Sequence, residues 1–416
     1  MINPAVSPTS ADVPGAGEPA GVATFSVAAP MRDTKKKLLY LAVCDPDLQV
    51  TGATVRMGAL IAQLARIYEV TLVHMAGSGH RVERDIEERF RDRDNRLGVA
   101  RRVRVEFSRM GYFLISPTLY RQADLLLRSR SFDYLLADYG LAAIYGKLFS
   151  ARYGLPLIYS SHNIEYRMYL GLGRFDARRA VLAPYVYWAE KAACRAAKLV
   201  VAISEHDRRE YAKWIPSERI EVIPQGFDPA LEHPFYDPPP ASPAVVLFVG
   251  SFRAEANRRA ARQIVDEIAP KVLGARPDVK FQLVGAHPPV DLRGPNVEVT
   301  GFVDDLAPYM RRANLVIAPM PMAHGMATKI VSALAFGKTV LTTAEGLGAI
   351  PLHYRQLAVA PLEGFADAIV ELLAARDPVD AGEFGALCDA FAWPKLSARL
   401  AQRIEQCCAR PEAAGA

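Results

Sequence analysis

Several features that mark large protein classes are scarce or missing in this sequence. Its 416 residues include only five cysteines, at positions 44, 194, 388, 407 and 408, without the spacing of a zinc or iron–sulfur site. We therefore predict five reduced thiols and no metal. No apolar run reaches the roughly 20 residues that a transmembrane helix requires. The sequence thus predicts a cytoplasmic protein without a membrane span.

A strong excess of charge is also missing. The 50 basic and 45 acidic side chains give a formal net charge of +5. This mildly basic balance suits an anionic small molecule or an anionic membrane surface. No nucleic-acid-binding motif accompanies it, so we expect no nucleic-acid partner.

The first 30 residues lack both the basic segment and the unbroken apolar segment of a signal peptide. They are rich in Ala, Pro, Gly and Ser, so we predict a disordered tail over residues 1–30. A charge-dense region at 81–109 ends in arginine beside aromatic residues. A solvated helix explains these charges, and a peripheral contact with the inner face of the membrane is the alternative.

Short apolar strands alternate with helical segments through the rest of the chain. A strand at 38–43 precedes a loop and an amphipathic helix at 54–68, and the alternation continues to a strand at 220–223. It restarts with a strand at 244–249 and a helix at about 257–273, and this second series ends in helices at 365–375 and 395–407. Short apolar strands between helices are typical of parallel sheets covered on both faces. We therefore predict two doubly wound, Rossmann-like α/β domains.

A proline-rich segment with three consecutive prolines separates the two series and predicts a stiff linker. A chain of this length is also expected to form two domains. The predicted boundaries are 31–224 for the N-terminal domain, 225–243 for the linker, 244–390 for the C-terminal domain, and 391–416 for a C-terminal helix that packs back towards the N-terminal domain.

The most informative segment is a glycine-containing loop that runs into an apolar helix. Gly325, Met326, Ala327 and Thr328 precede the helix, and Lys329 lies in its first turn. Backbone N–H groups at a helix N-terminus are unpaired and attract anions, so this loop can cradle a diphosphate. An ordinary strand–loop–helix unit explains the same pattern.

Two further candidates follow predicted strands, where parallel sheets bind ligands. His162 comes just after a strand at 156–160, and we expect it to stand at a reacting centre outside the core, so His162→Ala should lower turnover and leave melting nearly unchanged. A histidine bonded to nearby backbone is the alternative. Thr51 and Gly52 lie in the first loop, where Gly52 lets the backbone approach a phosphate, unless the pair forms a simple tight turn.

Seven segments together resemble those of one enzyme family, in its order. They are SSHNIEYR from Ser160, WAEKAACRAAKLVVAIS from Trp188, EVIPQGFDP from Glu221, VVLFVGSFRAEANRR from Val245, FQLVG from Phe281, VTGFVDDLAPYMRRANLVIAP from Val299 and GMATKIVSALAFGKTVL from Gly325. With the Thr51–Gly52 loop, their joint order resembles the retaining glycosyltransferases of family 4. That family has the GT-B architecture, in which two Rossmann-like domains face each other across a cleft.

The resemblance implies transfer of a sugar from a nucleotide-diphospho-sugar to a glycan or lipid-linked acceptor, with retention of configuration, in surface polysaccharide biosynthesis. The C-terminal domain holds the donor, the N-terminal domain holds the acceptor, and no cofactor or metal is expected. His162, Arg253 and Lys329 are the implied catalytic residues. The implied donor-binding residues are Thr51, Gly52, Gly250, Arg258, Gly301, Phe302, Gly325, Met326, Ala327, Thr328 and Ser332.

One departure from the family pattern leaves the function open. Many relatives carry two acidic residues eight apart, the second of which bonds the ribose, whereas this chain has His324 and Ser332 there. Glu345 is a candidate replacement. Ser332→Glu is expected to tighten nucleotide binding if the ribose lies where the family binds it, and to weaken binding if the pocket is remodelled for another donor group. The loss favours a catalytically degenerate binding or scaffold protein as the alternative. A nucleotide-sugar epimerase of the same architecture would need acid and base carboxylates in the cleft.

Overall fold

The computed structural model describes most of the chain. The described residues are 35–48, 52–76, 98–106, 117–170, 177–234, 239, 242–320, 328–347, 350, 354–375 and 381–408. Several predicted features lie outside them: the tail at 1–30, most of the charged region at 81–109, and site residues Thr51, His324, Gly325, Met326 and Ala327.

The first half of the chain builds a seven-stranded parallel sheet. Its strand order is β3-β2-β1-β4-β5-β6-β7, so the direction of strand addition reverses between β1 and β4. The apolar strand residues are buried from both sides, as expected for a sheet covered on both faces. The strands are β1 Lys37–Ala42, β2 Glu69–Ala76, β3 Arg101–Glu106, β4 Tyr134–Asp138, β5 Leu157–Ser160, β6 Leu199–Ala202 and β7 Ile220–Val222.

Helices cover both faces of this sheet and form two separate cores with it. One core contains apolar side chains of α2, α3 and α5, and the other contains those of α1. The helices are α1 Gly52–Ile67, α2 Pro117–Ser129, α3 Gly140–Tyr153, α4 Glu165–Leu170, α5 Ala177–Ala196 and α6 Glu205–Tyr211.

The second half repeats the plan with a six-stranded parallel sheet. Its order is β10-β9-β8-β11-β12-β13, with the reversal between β8 and β11. The strands are β8 Val245–Val249, β9 Lys280–Val284, β10 Val297–Gly301, β11 Leu315–Ala318, β12 Thr339–Thr342 and β13 Leu357–Val359. The helices are α7 Glu255–Gln263, α8 Ala269–Ala275, α9 Ala307–Arg312, α10 Thr328–Ala335, α11 Ala344–Leu347, α12 Phe365–Ala374, α13 Ala381–Phe391 and α14 Trp393–Cys408. The prediction of two doubly wound α/β domains is confirmed.

Two details differ from the sequence prediction. The helix predicted at 257–273 begins at Glu255, and a π-helical turn at Ile264–Ile268 joins α7 to α8. We did not predict β13 or α13. The first has only three residues, and the second contains two glycines, which weaken a helical pattern.

The last helix returns to the first sheet. Trp393, Leu396, Leu400 and Ile404 of α14 are buried in the same core as α1. At the start of this helix the backbone forms two hydrogen bonds with the linker: Phe227 N–H donates to Phe391 O at 3.0 Å, and Trp393 N–H donates to Phe227 O at 2.9 Å. These bonds join the two segments in which the chain passes from one sheet to the other. Among the described helices, none is both long and apolar enough to cross a bilayer.

Candidate active site

The predicted site residues that the structure describes lie at or beyond the carboxyl ends of several strands. His162 follows β5, and Gly301 and Phe302 lie at the end of β10, whereas the others follow β1, β8 and β11, strands at which a sheet reverses. In the first sheet α1 follows β1, and in the second sheet α10 follows β11. Open α/β sheets bind ligands in the crevice at such a switch point. The N-termini of α1 and α10 therefore mark where we expect a ligand to bind.

The starts of α1 and α10 lie against each other. A Cβ atom added to Gly52 would lie 2.8 Å from Oγ1 of Thr328, so no side chain fits at position 52 without movement of Thr328. The helices are 16 and 8 residues long, and each begins with N–H groups that have no partner within the helix and carry partial positive charge. An anion at this junction would be stabilised by both helix termini.

Lys329 lies one residue further along α10 and is held by neighbours from β8 and α7. Its ammonium donates to Oδ1 of Asn257 at 2.9 Å and lies 4.4 Å from the centre of the Phe248 ring. Met320 Sδ is 3.8 Å away. Burial lowers the pKa of Lys329 to about 7 because an ammonium loses hydration there. The side chain is half-buried rather than fully exposed, and an arriving anion would favour its charged form.

The loop after β8 carries Arg253 and is tightly packed. A Cβ at Gly250 would lie 2.7 Å from Cγ of Asn257, and one at Gly285 would lie 1.9 Å from Gly250 O. Arg258 donates from Nη1 to Phe252 O at 2.8 Å and to Arg253 O at 2.7 Å. Arg258 therefore fastens the loop that carries the half-buried Arg253.

Phe302 lies at the edge of the second sheet. Gly301 ends β10 with a φ of 77°, a conformation that favours glycine, and its carbonyl accepts a hydrogen bond from Gly285 N at 2.9 Å. Phe302 follows it and remains 38% exposed. An exposed ring at this edge can stack against a planar group of a ligand.

His162 is buried, and our expectation that it stands outside the core is wrong. The residue is 4% exposed, and its Nε2 lies 2.9 Å from Oδ1 of Asp138, which is fully buried at the end of β4. The imidazole also stacks on Tyr139, with ring centres 4.8 Å apart. Tyr139 has a φ of 83°, which is strained for a non-glycine residue.

The charge on Asp138 orients this histidine. Burial opposes its ionisation, but the His162 imidazole and its hydrogen bond, helped by the nearby Ser160 and Tyr40 hydroxyls, outweigh burial and hold the pKa of Asp138 below its usual value. An ionised carboxylate only accepts hydrogen bonds. Nε2 of His162 therefore carries a hydrogen and donates the hydrogen bond to Asp138. We missed Asp138 in the sequence, although an acidic residue ending an apolar strand is a usable signal.

A second acidic side chain secures the loop that carries His162. Glu190 of α5 accepts hydrogen bonds from the backbone N–H groups of Glu165 at 3.1 Å and Tyr166 at 3.2 Å, so it caps α4. Burial raises the pKa of Glu190 to about 7 and that of Glu165 to about 8. Ser161 Oγ also donates to Asn163 O at 2.8 Å. The loop is thus fixed on both sides of the histidine.

Ser332 has an acidic partner that sequence reasoning missed. Its hydroxyl donates a short hydrogen bond to Oε2 of Glu232, a linker residue 100 positions earlier in the chain. Burial raises the pKa of Glu232, and the hydrogen bond from Ser332 opposes this. Glu345, our candidate replacement, is exposed in α11. A carboxylate therefore does lie beside the position where many relatives carry an acidic residue and this chain has Ser332.

The structure offers little for a metal ion. The sequence contains two Asp-x-Asp spacings, and the one at 92–94 lies outside the described residues. The other is formed by Asp45 and Asp47, and Arg102 forms ion pairs with both side chains. Within the described residues, no group of three or more His, Cys, Asp or Glu side chains is arranged to hold a metal. The absence of a metal requirement remains a prediction.

Two family models match adjoining stretches of the chain. "Glycosyltransferase Family 4" matches residues 50–231, and "Glycosyl transferases group 1" matches residues 243–375. These stretches coincide with the two sheets that meet at the candidate site. The chain is a glycosyltransferase of the GT-B type.

Solved structures agree with the fold of this glycosyltransferase. Sucrose-phosphate synthase of Thermosynechococcus elongatus is similar with a TM-score of 0.68 and 17% identity, over 89% of this chain and 99% of the other. Anabaena HepE in complex with UDP-glucose is similar with a TM-score of 0.62 and 16% identity, over 89% of this chain and 99% of the other. A protein from Listeria monocytogenes described as a "putative UDP-N-acetylglucosamine 2-epimerase" is similar with a TM-score of 0.58 and 12% identity, over 90% of this chain and 96% of the other. No curated protein sequence matches this chain significantly.

Proposed function

We propose that this glycosyltransferase moves a hexose-type sugar from a nucleotide-diphospho-sugar to a glycan or lipid-linked acceptor, with retention of configuration, in surface polysaccharide biosynthesis. The observation that carries the proposal is the meeting of the α1 and α10 N-termini at Gly52 and Thr328, beside Lys329. Two helix dipoles and a cation at one point suit a diphosphate. The similarity to HepE, whose solved complex contains UDP-glucose, supports a nucleotide sugar as donor.

The proposed reaction needs no metal ion or cofactor. The bond between the anomeric carbon and the diphosphate oxygen breaks, and its electron pair stays on that oxygen. The helix termini, Lys329 and Arg253 stabilise the negative charge that grows there. The acceptor hydroxyl attacks from the same face, and its proton passes to the departing oxygen. His162, oriented by Asp138, hydrogen-bonds a hydroxyl at the reacting centre.

A ligand screen followed by product analysis tests this function. We expect UDP, GDP or ADP to raise the melting temperature of the wild-type protein, because a ligand that binds the folded state stabilises it. The matching nucleotide sugar should then yield a product with the anomeric configuration of the donor, as measured by NMR.

The same experiment separates the alternatives. An inverted product would contradict retention, and conversion of the donor sugar without an acceptor would identify an epimerase. Stabilisation without turnover, across a broad panel of donors and acceptors, would identify a binding or scaffold protein.

We also propose a peripheral contact with an anionic membrane surface through α5. Val181 is 77% exposed and Trp188 is 63% exposed, with Tyr185 between them on the same face of the helix. Lys191 lies beside them, with Nζ 5.2 Å from the Trp188 ring centre. An exposed aliphatic, aromatic and basic stripe is typical of interfacial helices. It also suits an enzyme with a lipid-linked acceptor.

Vesicle binding tests this surface. Trp188→Ser should weaken binding to vesicles of phosphatidylglycerol and phosphatidylcholine roughly tenfold, since a large apolar side chain no longer enters the bilayer interface. Leu125→Ser in α2 is the matched control, because Leu125 is similarly exposed on another helix. Equal effects of the two substitutions would contradict the proposal. A Trp188-dependent dimer in sedimentation would indicate a second copy as the partner instead.

A further inference from the structure

We propose that Glu232 of the linker supplies the carboxylate that binds the ribose hydroxyls of the donor nucleotide, with Ser332 as its positioning residue. The inference rests on the proposed function, and it assigns a specificity residue that the family pattern does not contain. It starts from the hydrogen bond that Ser332 donates to Glu232.

The location of Ser332 relative to the anion site favours this assignment. Ser332 follows Thr328 by four residues and Lys329 by three, so it lies about one turn, roughly 5 Å, further along the same face of α10. A carboxylate at that distance repels phosphate groups and accepts hydrogen bonds from neutral donors. The neighbouring diol of a nucleotide-diphospho-sugar is such a donor pair.

The diphosphate of the donor links two sugars, the ribose and the transferred sugar, and the two must lie against different parts of the protein. The transferred sugar has to face the acceptor and His162, which belong to the first sheet. Glu232 instead follows Phe227, which packs in the core of the second sheet with α10. The ribose, on the other side of the diphosphate, is therefore the sugar that Glu232 can meet.

The linker turn around Glu232 is held in place by the backbone. Glu232 N–H donates to Asp228 O at 2.8 Å, and Leu231 N–H donates to the same oxygen at 3.0 Å. Ala230 N–H donates to Oδ1 of Asp228 at 3.0 Å. The carboxylate of Glu232 is thus carried on an ordered turn, where it accepts hydrogen bonds from Ser332 and from the Asp228 backbone. Two carboxylate oxygens offer about four lone-pair sites, so a ribose hydroxyl can be accepted as well.

A purely structural bond that fastens the linker to α10 is the competing explanation, and ligand discrimination separates the two. Calorimetry would compare UDP, GDP and ADP with their 2′,3′-dideoxy forms. The wild-type protein should bind the ribose form about 10–100-fold more tightly, as expected for hydrogen bonds to a charged group. Glu232→Gln should reduce this preference to about threefold, and affinity for the dideoxy form should not change.

Glu345→Gln is the matched control, since it removes an exposed carboxylate from α11 and should keep the full preference. A full ribose preference in folded Glu232→Gln would overturn the inference alone. An equal loss of affinity for both nucleotide forms would do the same, because it would indicate a structural role. If no ribonucleotide binds the wild-type protein, the proposed function falls, and this inference falls with it.

A carboxylate exchange provides the second test. With Glu232 already present, Ser332→Glu brings two carboxylates together, so we now expect it to weaken nucleotide binding, not to tighten it. The double variant Glu232→Ser with Ser332→Glu moves the carboxylate onto α10 and should restore the ribose preference. Tighter ribonucleotide binding by Ser332→Glu alone would overturn the assignment.

Discussion

Replacing His162 by alanine is expected to lower turnover by roughly 10²–10³, the range found when one polar group at a reacting centre is removed. The same substitution should lower the free energy of unfolding by about 3 kcal/mol, since it leaves the buried carboxylate of Asp138 without its partner. The sequence alone led us to expect almost unchanged melting. Steady-state kinetics and denaturant titration measure the two effects.

A pair of further variants separates catalysis from stability at this site. His162→Gln with Asp138→Asn replaces both partners by neutral groups that can still hydrogen-bond each other, so its stability should fall much less. Its turnover should remain low, because the imidazole is missing. Near wild-type turnover in this double variant would show that His162 serves the fold rather than the reaction.

Replacing Lys329 by methionine should lower kcat/KM by roughly 10²–10³ because a cation beside the leaving diphosphate is lost. Folding should be little affected, since methionine has a similar length and would pack against Phe248 and Met320. Turnover with a saturating acceptor, together with thermal melting, measures both effects. Wild-type turnover in this variant would remove Lys329 from the site.

The lowered pKa of Lys329 gives this prediction a pH signature. In the free protein its pKa is about 7, so much of the amine is neutral at pH 8. A bound diphosphate favours the ammonium and raises the pKa, so binding takes up a proton and the affinity declines as the pH rises above about 7. Calorimetry at pH 8 in buffers of different ionisation enthalpy should detect this uptake, which Lys329→Met should lose.

Lys338 offers a matched control for the titration. Burial lowers its pKa to about 7 as well, but its ammonium donates to Arg311 O at 2.9 Å and Ala313 O at 2.8 Å, below β11. Lys338→Met should therefore destabilise the protein and leave the ligand-linked proton uptake unchanged. An equal loss of proton uptake in Lys329→Met and Lys338→Met would contradict the assignment of this uptake to Lys329.

Local patterns in the sequence were sufficient for the architecture and for part of the site. Strands such as Leu315–Ala318 follow from short apolar runs, and the helix that carries Lys329 follows from its apolar residues. These signals lie within a few residues of one another. The period of the pattern therefore reveals them without any knowledge of tertiary contacts.

The missed residues depend on contacts between distant segments. Asp138 meets His162 because β4 and β5 are neighbours in the sheet, and Glu232 meets Ser332 because the linker folds back onto α10. Nη1 of Arg258 donates to the carbonyls of its own loop, and Nε and Nη2 donate to Glu255, so its expected contact with the donor stays a prediction. A sequence shows which side chains carry a charge, whereas their partners depend on strand order and on the path of the linker.

The return of α14 to the first sheet constrains the order in which the protein can be completed during synthesis. All seven strands of that sheet precede residue 223, but the apolar face of α1 is covered by a helix that begins at Trp393. Ribosomes add about 5–20 residues per second, so the gap lasts roughly ten to forty seconds. During that interval the core that α1 shares with the first sheet lacks the side chains of α14, and the surface they cover is open to other chains and to chaperones. Loss of the last 24 residues would make this exposure permanent.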